Sequence, residues 1–242
     1  MFKALQDSLL SVVYPQECMA CAGQVENIED GVACSKCWNA TRLFDGSEML
    51  CDKCGAYFAE AAAPVPVFCR KCDGHKYDKA AAAGVYENAL SVTIINLKSE
   101  ASIAARLKKI VPTAVERAGF AHADVIVPVP LSKQRRLERG FNQAEIIATT
   151  VSRSLGIPVD HLSLARKRHT PMHRVAMDDK ARELTVQDAF EVVRPKLVAG
   201  KAILLVDDVF TSGSTASNCA RVLRKSGARH IYVFTLARAV MS

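Results

Sequence analysis

The sequence predicts an α/β protein in which a parallel sheet flanked by helices follows a small N-terminal unit stapled by metal. Two patterns predict it. From about residue 80 onward, short continuous apolar runs alternate with helical stretches, the order that builds a parallel sheet. Before that point, eight of the nine cysteines fall into four Cys-x-x-Cys pairs between residues 18 and 72. A chain of 242 residues has room for one medium domain and an appendage, and the division is expected between 1–78 and 79–242.

In chain order, Phe2, Leu5, Leu9 and Val12 recur at helical spacing, so residues 1–13 predict a short amphipathic helix. The pairs Cys18/Cys21, Cys34/Cys37, Cys51/Cys54 and Cys69/Cys72 follow, separated by 12, 13 and 14 residues. The two four-cysteine groups start 33 residues apart, the mark of a duplicated unit. Two thiolates separated by two residues on a tight turn can both reach one ion at a Zn–S distance of roughly 2.3 Å, and two such turns complete a tetrahedron. Two structural Zn²⁺ ions are therefore expected. The sequential partition places Cys18, Cys21, Cys34 and Cys37 on one ion and Cys51, Cys54, Cys69 and Cys72 on the other. A cross-braced pairing is also sterically open, though the even duplication favours the sequential one. His75 stands close enough to compete as a ligand, but eight cysteines already complete two sites. A closed four-thiolate site is structural, since a catalytic zinc keeps a position for water.

Ala80–Tyr86 reads as a strand, and 88–98 and 101–118 as helices, the second with Ile103, Leu107, Ile110 and Val111 along one face. Ala123–Val129 is a continuous apolar run bounded by turn formers, as in a buried parallel strand. A helix over 142–155 opens with Asn142 as its N-cap. A basic, irregular region runs from Arg166 to Arg182. Lys201–Val209 predicts the next buried strand, 214–226 a helix closed by Gly227, and His230–Leu236 a further strand. Cys219, alone in the later helix, reads as core.

Composition narrows the functional classes. Half the residues are hydrophobic and mean hydropathy is +0.08, which suits a folded protein rather than a disordered one. No apolar run approaches the ~18 residues of a membrane span. The segment Leu9–Tyr14 is too short, and too close to Gln6 and Asp7, for a signal peptide. A cytoplasmic, reducing location is expected, which argues against a four-disulfide framework. The net charge of +7 is unevenly placed: residues 1–80 carry eight Lys and Arg against eleven Asp and Glu, whereas 121–242 carry nineteen against eleven. The basic excess thus belongs to the later half. Aromatic residues make up 6%, too few for an evident base-stacking platform, so direct DNA contact has little support from composition.

Chemistry concentrates in ILLVDDVFTSGSTASNCARVLRKSGA, from Ile203. An apolar strand ends in Asp207 and Asp208. Thr211, Ser212, Gly213, Ser214 and Thr215 then open a helix, whose free N–H groups and dipole form an anion site. The acids suit hydroxyl donors beside it. An anion cradle next to a diol-binding acid pair describes a ribose 5-phosphate. No Gly-x4-Gly-Lys-Ser/Thr and no Gly-x-Gly-x-x-Gly after a strand occurs, which removes the common nucleotide loops.

This segment resembles the phosphoribosyl-pyrophosphate (PRPP) motif of type I phosphoribosyltransferases. With VIVPVPLSKQRRLERGFNQAEIIA (125–148), RKRHTPMHR (166–174), Ala189–Phe190 and the double ribbon, nearly the whole chain resembles the ComF family, named for a competence protein and including GntX-like members. It departs from the family at Met172–His173 and at Thr185. The resemblance implies a type I phosphoribosyltransferase-like sheet with an N-terminal double zinc ribbon. It implies that Asp207 and Asp208 hold the ribose 2′ and 3′ hydroxyls and that 211–215 hold the 5-phosphate. Leu131, Ser132 and Lys133 would hold pyrophosphate, with Arg135, Arg136 and Arg139 neutralising it and Mg²⁺ arriving with PRPP. His169 and His173 could approach an acceptor. The implied reaction transfers phosphoribose to a nitrogen acceptor that no residue identifies. The alternative is a PRPP sensor or DNA-uptake accessory protein, whose ribbons contact competence machinery or nucleic acid.

Overall fold

The computed structural model describes residues 16–58, 67–167 and 189–240. The expected helix over 1–13, His169, His173, Met172 and Thr185 lie outside them. The strands are β1 (Lys79–Val85), β2 (Val125–Pro128), β3 (Leu164–Arg166), β4 (Phe190–Val192), β5 (Ala202–Phe210) and β6 (His230–Arg238). Four of them form one fully parallel sheet in the order β1-β6-β5-β2. A parallel bridge from Ile126 to Val159 extends it past β2, and β3 and β4 pair antiparallel beside it. The helices are α1 (Ser35–Asn39), α2 (Asn88–Asn96), α3 (Ala105–Arg117), α4 (Lys133–Arg139), α5 (Gln143–Leu155) and α6 (Ser214–Lys225).

The strands match the apolar runs because they are buried on both faces. In β5, Leu204 and Val206 join α3 and α5 in one core through Leu107, Val111, Ile147 and Val151. Ile203 and Leu205, of opposite parity, join α6 in the other core through Ala216, Cys219, Ala220 and Leu223. Asn142 caps α5 as expected, its side chain accepting from Ala144 N at 3.1 Å, and Gly156 closes that helix in the left-handed conformation. The expected helix over 101–118 is shorter, running from Ala105 to Arg117. α4 and the β3–β4 pair had no periodicity to reveal them. α4 buries no residue, and each of the two strands has three.

The N-terminal unit straddles the free edge of the sheet. Residues 42–44 run antiparallel to β1, with Phe44 N donating to Ala83 O and Val85 N to Arg42 O, both at 2.9 Å. Gly84 permits this approach, since a Cβ there would stand 2.5 Å from Arg42 O. Ala80 N donates to Lys53 O at 2.7 Å, so both halves of the unit satisfy β1 groups that would otherwise be orphaned. The first half packs on the α2–α3 face through Cys18, Cys34, Cys37 and Trp38. The second half packs on the α6 face through Cys51, Cys54, Cys72 and Tyr77.

Polar contacts fix the first half. Buried Asp30 accepts from Arg106 Nη1 at 3.0 Å and Ser35 Oγ at 3.1 Å, and its carbonyl accepts from Trp38 Nε1 at 3.0 Å. The Arg106 guanidinium also lies 4.9 Å over the Trp38 ring. Thr41 Oγ1 accepts from Ala89 N at 3.1 Å, so the ribbon caps α2, and Arg42 pairs with Glu87 through two 2.9 Å bonds.

Gly84→Ala sets a methyl against the Arg42 carbonyl and parts the edge from the ribbon linker. The expected cost is about 2 kcal/mol in urea-induced unfolding, within the usual range for overpacking. Unchanged stability would mean that the seam at β1 is not tight.

Candidate functional site

The eight paired cysteines gather sequentially into two groups, Cys18, Cys21, Cys34, Cys37 and Cys51, Cys54, Cys69, Cys72, and within each group the sulfurs lie within 4.8 Å of one another. The cross-braced alternative is thereby set aside. In the first group Cys18 and Cys37 sulfurs are 3.8 Å apart and Cys21 and Cys34 sulfurs 3.7 Å. In the second, Cys51–Cys72 is 3.7 Å and Cys54–Cys69 is 3.4 Å. Four thiolates around Zn²⁺ at about 2.3 Å stand about 3.8 Å apart along each tetrahedral edge, whereas a disulfide needs about 2.05 Å. The spacing therefore fits an ion and not a disulfide, and all nine cysteines are free thiols. Backbone amides orient the ligands: Cys34 N donates to Cys18 Sγ and Cys69 N to Cys51 Sγ, both at 3.3 Å. These two amides stand at equivalent positions of the two groups, as the duplication requires. His75 is outside the second group.

The acid pair lies at the C-terminal end of β5, in the sheet interior between β6 and β2. Asp208 N donates to Asp207 Oδ1 at 2.9 Å and Val209 N to Asp208 Oδ1 at 2.7 Å. Asp207 lies on the α6 face near Cys219, and alternation breaks just beyond it, since Val209 joins the core of Leu204 and Val206 while Phe210 joins the α6 core. Asp207 is half-buried. That burial, and next the adjacent Asp208 carboxylate, push its pKa up to about 8 against the pull of the Asp208 amide and of Arg166.

The loop beyond carries the residues expected to hold a phosphate. Gly213, at φ 79°, is the N-cap of α6 and brings no capping side chain, while Ser212 Oγ accepts from Ser214 N at 3.4 Å. A Cβ at Gly213 would lie 2.6 Å from Phe210 Cζ. Ser212 and Ser214 hydroxyls are 3.0 Å apart, with Thr211 and Ser212 exposed and Thr215 half-buried. Cys219, expected as core, is fully buried beneath the loop.

The other expected loop emerges alongside. Val129 N donates to Val206 O at 2.8 Å, so the chain leaving β2 stays paired with β5 up to the residue before Asp207. Leu131 and buried Ser132 follow, and the Ser132 side chain caps α4 by accepting from Arg135 N at 3.3 Å. Lys133 is exposed. The three arginines do not act alike. Arg136 pairs with Glu145 and Arg139 Nη1 donates to Gln143 Oε1 at 3.0 Å, both turned toward α5. Arg135 instead faces Arg166. Burial, and next Arg135, hold the Arg166 guanidinium below its usual pKa, while Cys219 and Asp207 oppose that shift. Arg166 also lies 5.2 Å over the Phe190 ring across the β3–β4 pair. It is a site residue absent from the sequence expectations, and its only signal was its place at the head of RKRHTPMHR.

The double zinc ribbon domain family matches residues 9–73. The chain is 31% identical over 234 residues to competence protein F of Haemophilus influenzae, covering 92% of this chain and 96% of that one. It is 30% identical over 215 residues to the DNA utilization protein YhgH of Escherichia coli, covering 86% and 90%. Among solved structures, a glutamine PRPP amidotransferase from B. subtilis complexed with ADP and GMP overlaps 60% of this chain and 26% of its own, at 23% identity and a TM-score of 0.36. No described helix is long and apolar enough to cross a membrane.

Two outcomes follow from this geometry. Elemental analysis of the purified chain should give two zinc ions per molecule, and one or none would refute two complete tetrathiolate sites. For Asp207, the folded pKa lies above the unfolded value near 3.9, so its contribution to stability is full below pH 4 and is lost as pH rises through 8. Asp207→Asn removes that loss. The variant should therefore gain on the parent in thermal unfolding as pH rises from 5 to 8.5, and a pH-independent difference would contradict the buried, raised carboxyl.

Proposed function

The chain belongs to the ComF family of competence protein F, and from that premise we propose that it binds PRPP and transfers the phosphoribosyl group to a nitrogen acceptor, releasing pyrophosphate. One observation carries this reading: Asp207 and Asp208 lie near the C-terminal end of a central parallel strand that runs to Phe210, shortly before the glycine-led N-terminus of α6, with the loop from Leu131 leaving the neighbouring strand at the same end. Ligands of open α/β sheets bind at the carboxyl ends of such strands.

In this reading the first amides of α6 and the hydroxyls of Thr211, Ser212, Ser214 and Thr215 take the 5-phosphate. Asp207 and Asp208 accept from the ribose 2′ and 3′ hydroxyls. Leu131, Ser132 and Lys133 face the pyrophosphate, with Arg135 and Arg166 supplying the nearest positive charge. Mg²⁺ would arrive on the oxygens of PRPP, because the basic loop offers it no carboxylate cage. The bond from ribose C1 to pyrophosphate breaks with its electron pair leaving on oxygen, and the acceptor nitrogen's lone pair forms the new bond to C1. Cationic groups stabilise the charge growing on the leaving group. The division of labour at 78/79 assigns this chemistry to 79–242 and a supporting role to 1–78.

A second reading, a DNA-uptake accessory protein, is favoured by one surface. A cleft of about 470 Å³ between the second ribbon and α6 is lined by Lys53, Lys76, Arg221, Arg224 and Lys225, with Asp78 bound to Arg224. Such a surface suits a phosphate backbone, and relatives named for competence and DNA utilization agree with it. The two readings are compatible.

Calorimetry with PRPP and Mg²⁺ should show binding that Asp207→Asn combined with Asp208→Asn abolishes, and unchanged affinity would end the PRPP reading. Hydroxyl donors favour the ionised carboxyl, so affinity should rise about tenfold from pH 6.5 to 8.5 and level above 8, with the rise absent in Asp207→Asn. Pyrophosphate release across a panel of bases and amines separates turnover from sensing. Salt-dependent retardation of single-stranded DNA, lost on Lys76→Glu with Arg221→Glu, tests the second reading.

A further inference from the structure

The phosphate loop has a neighbour from the metal unit. The chain leaves the second sulfur group at Cys72, and His75 N donates to Cys72 O at 3.1 Å, closing the turn. The His75 ring shares a 2.6 Å hydrogen bond between Nδ1 and Tyr77 Oη. Its Cε1 lies 2.7 Å from the point a Cβ on Gly213 would occupy, and Phe210 Cζ lies 2.6 Å from that same point. A ring from β5 and a ring from the ribbon thus both press on the face of Gly213 that a side chain would occupy.

The surrounding contacts reinforce the clamp. Lys76 N donates to Ser217 Oγ, at 3.2 Å, in the first turn of α6. Tyr77 meets Phe210 edge-on with centroids 6.0 Å apart. Arg238, at the end of β6, donates to the Cys54 carbonyl and, at 3.5 Å, to the Cys54 sulfur, while its guanidinium lies 4.4 Å over the Phe210 ring. Both rings against Gly213 thus lead, through one or two residues, to ligands of the second sulfur group. The first group lies in the core on the opposite face of the sheet.

We propose that His75 is a positioning residue for the phosphate loop, through which the second four-cysteine unit holds Gly213 and the first amides of α6 ready for a 5-phosphate-bearing ligand. The inference rests on the reading of 211–215 as a 5-phosphate site. Glycine has more accessible conformations than any other residue, and a loop of small polar residues gains nothing from its own packing. An external clamp that holds the left-handed conformation removes ordering cost from the binding step. The second ribbon therefore serves the substrate site directly, and the first serves the α2–α3 face.

Calorimetry on the zinc-loaded full chain, with ribose 5-phosphate and pyrophosphate as separate probes, tests this. His75→Ala should lower ribose 5-phosphate affinity about tenfold, the scale of one charge-assisted hydrogen bond, and leave pyrophosphate affinity and zinc content unchanged. Tyr77→Phe, which releases the ring, should give a smaller loss of the same kind. Cys69→Ser should reproduce the His75→Ala loss and Cys21→Ser should not; if Cys69→Ser fails to fold, the His75 and Tyr77 variants decide. Equal ribose 5-phosphate affinity in parent and His75→Ala, or parallel losses for both probes, would overturn the proposal. Hydrogen exchange of 210–217 without ligand keeps the two readings distinguishable. If the parent binds no ribose 5-phosphate, the phosphoribosyl reading falls, yet faster exchange in His75→Ala still establishes the clamp, and unchanged exchange refutes it.

Discussion

The outer edge of β1 is the constraint on which the rest of the structure depends. A parallel sheet whose strands are buried on both faces still ends in a row of unpaired backbone groups. Here residues 42–44, between the two sulfur groups, and Lys53, within the second, cover that row, and the groups themselves fall on either side of the sheet. Each ribbon half is too small to enclose a core of its own, so metal and sheet must both support it. Trp38 shows the consequence. It is buried beside Cys37, yet it rests against Arg106 of α3 as well as Asp30 of the ribbon, so the two parts of the chain share one interior.

That arrangement explains which features were legible in the sequence. β5, β6 and α5 carry long apolar runs or a capped 3.6-residue period because they bury many residues at regular spacing, and each matches its expected span to within two or three residues. The Cys-x-x-Cys pairs were equally readable, since thiolate chemistry and tetrahedral geometry leave little freedom. What could not be read depends on tertiary contact alone. α4 has no buried face, and β3 and β4 are too short for alternation to show. The ribbons' placement on opposite faces of the sheet leaves no periodic trace either.

The candidate site divides the same way. Asp207, Asp208 and the loop 211–215 are contiguous, so their chemistry could be recognised along the chain. Arg166 approaches Asp207 from 41 residues earlier, and its significance needs the hairpin that turns it inward. Electrostatics there are more balanced than the composition suggests. Among the described residues, Arg136 and Arg139 are engaged by α5, and Arg166 is the cation that acts on a carboxyl held largely protonated near neutrality. The site at rest thus carries less negative charge than two aspartates imply, which eases the approach of a polyanion.

His75 shows why neither part of the chain is understood alone. Read along the sequence it is a spare histidine after a completed metal site, and the sulfur geometry agrees that it is no ligand. Its ring is nevertheless placed by Tyr77 and by the Cys72 turn onto the α-carbon of Gly213. A closed metal site is a rigid object, and rigidity is what a glycine-led anion loop lacks. Joining them through one aromatic contact lets the small domain contribute order to the sheet in return for the apolar face that the sheet lends it. The ribbon's proximity to the loop therefore follows from the same edge of β1 that required a cover, because an element seated there on the α6 face meets the first turn of that helix.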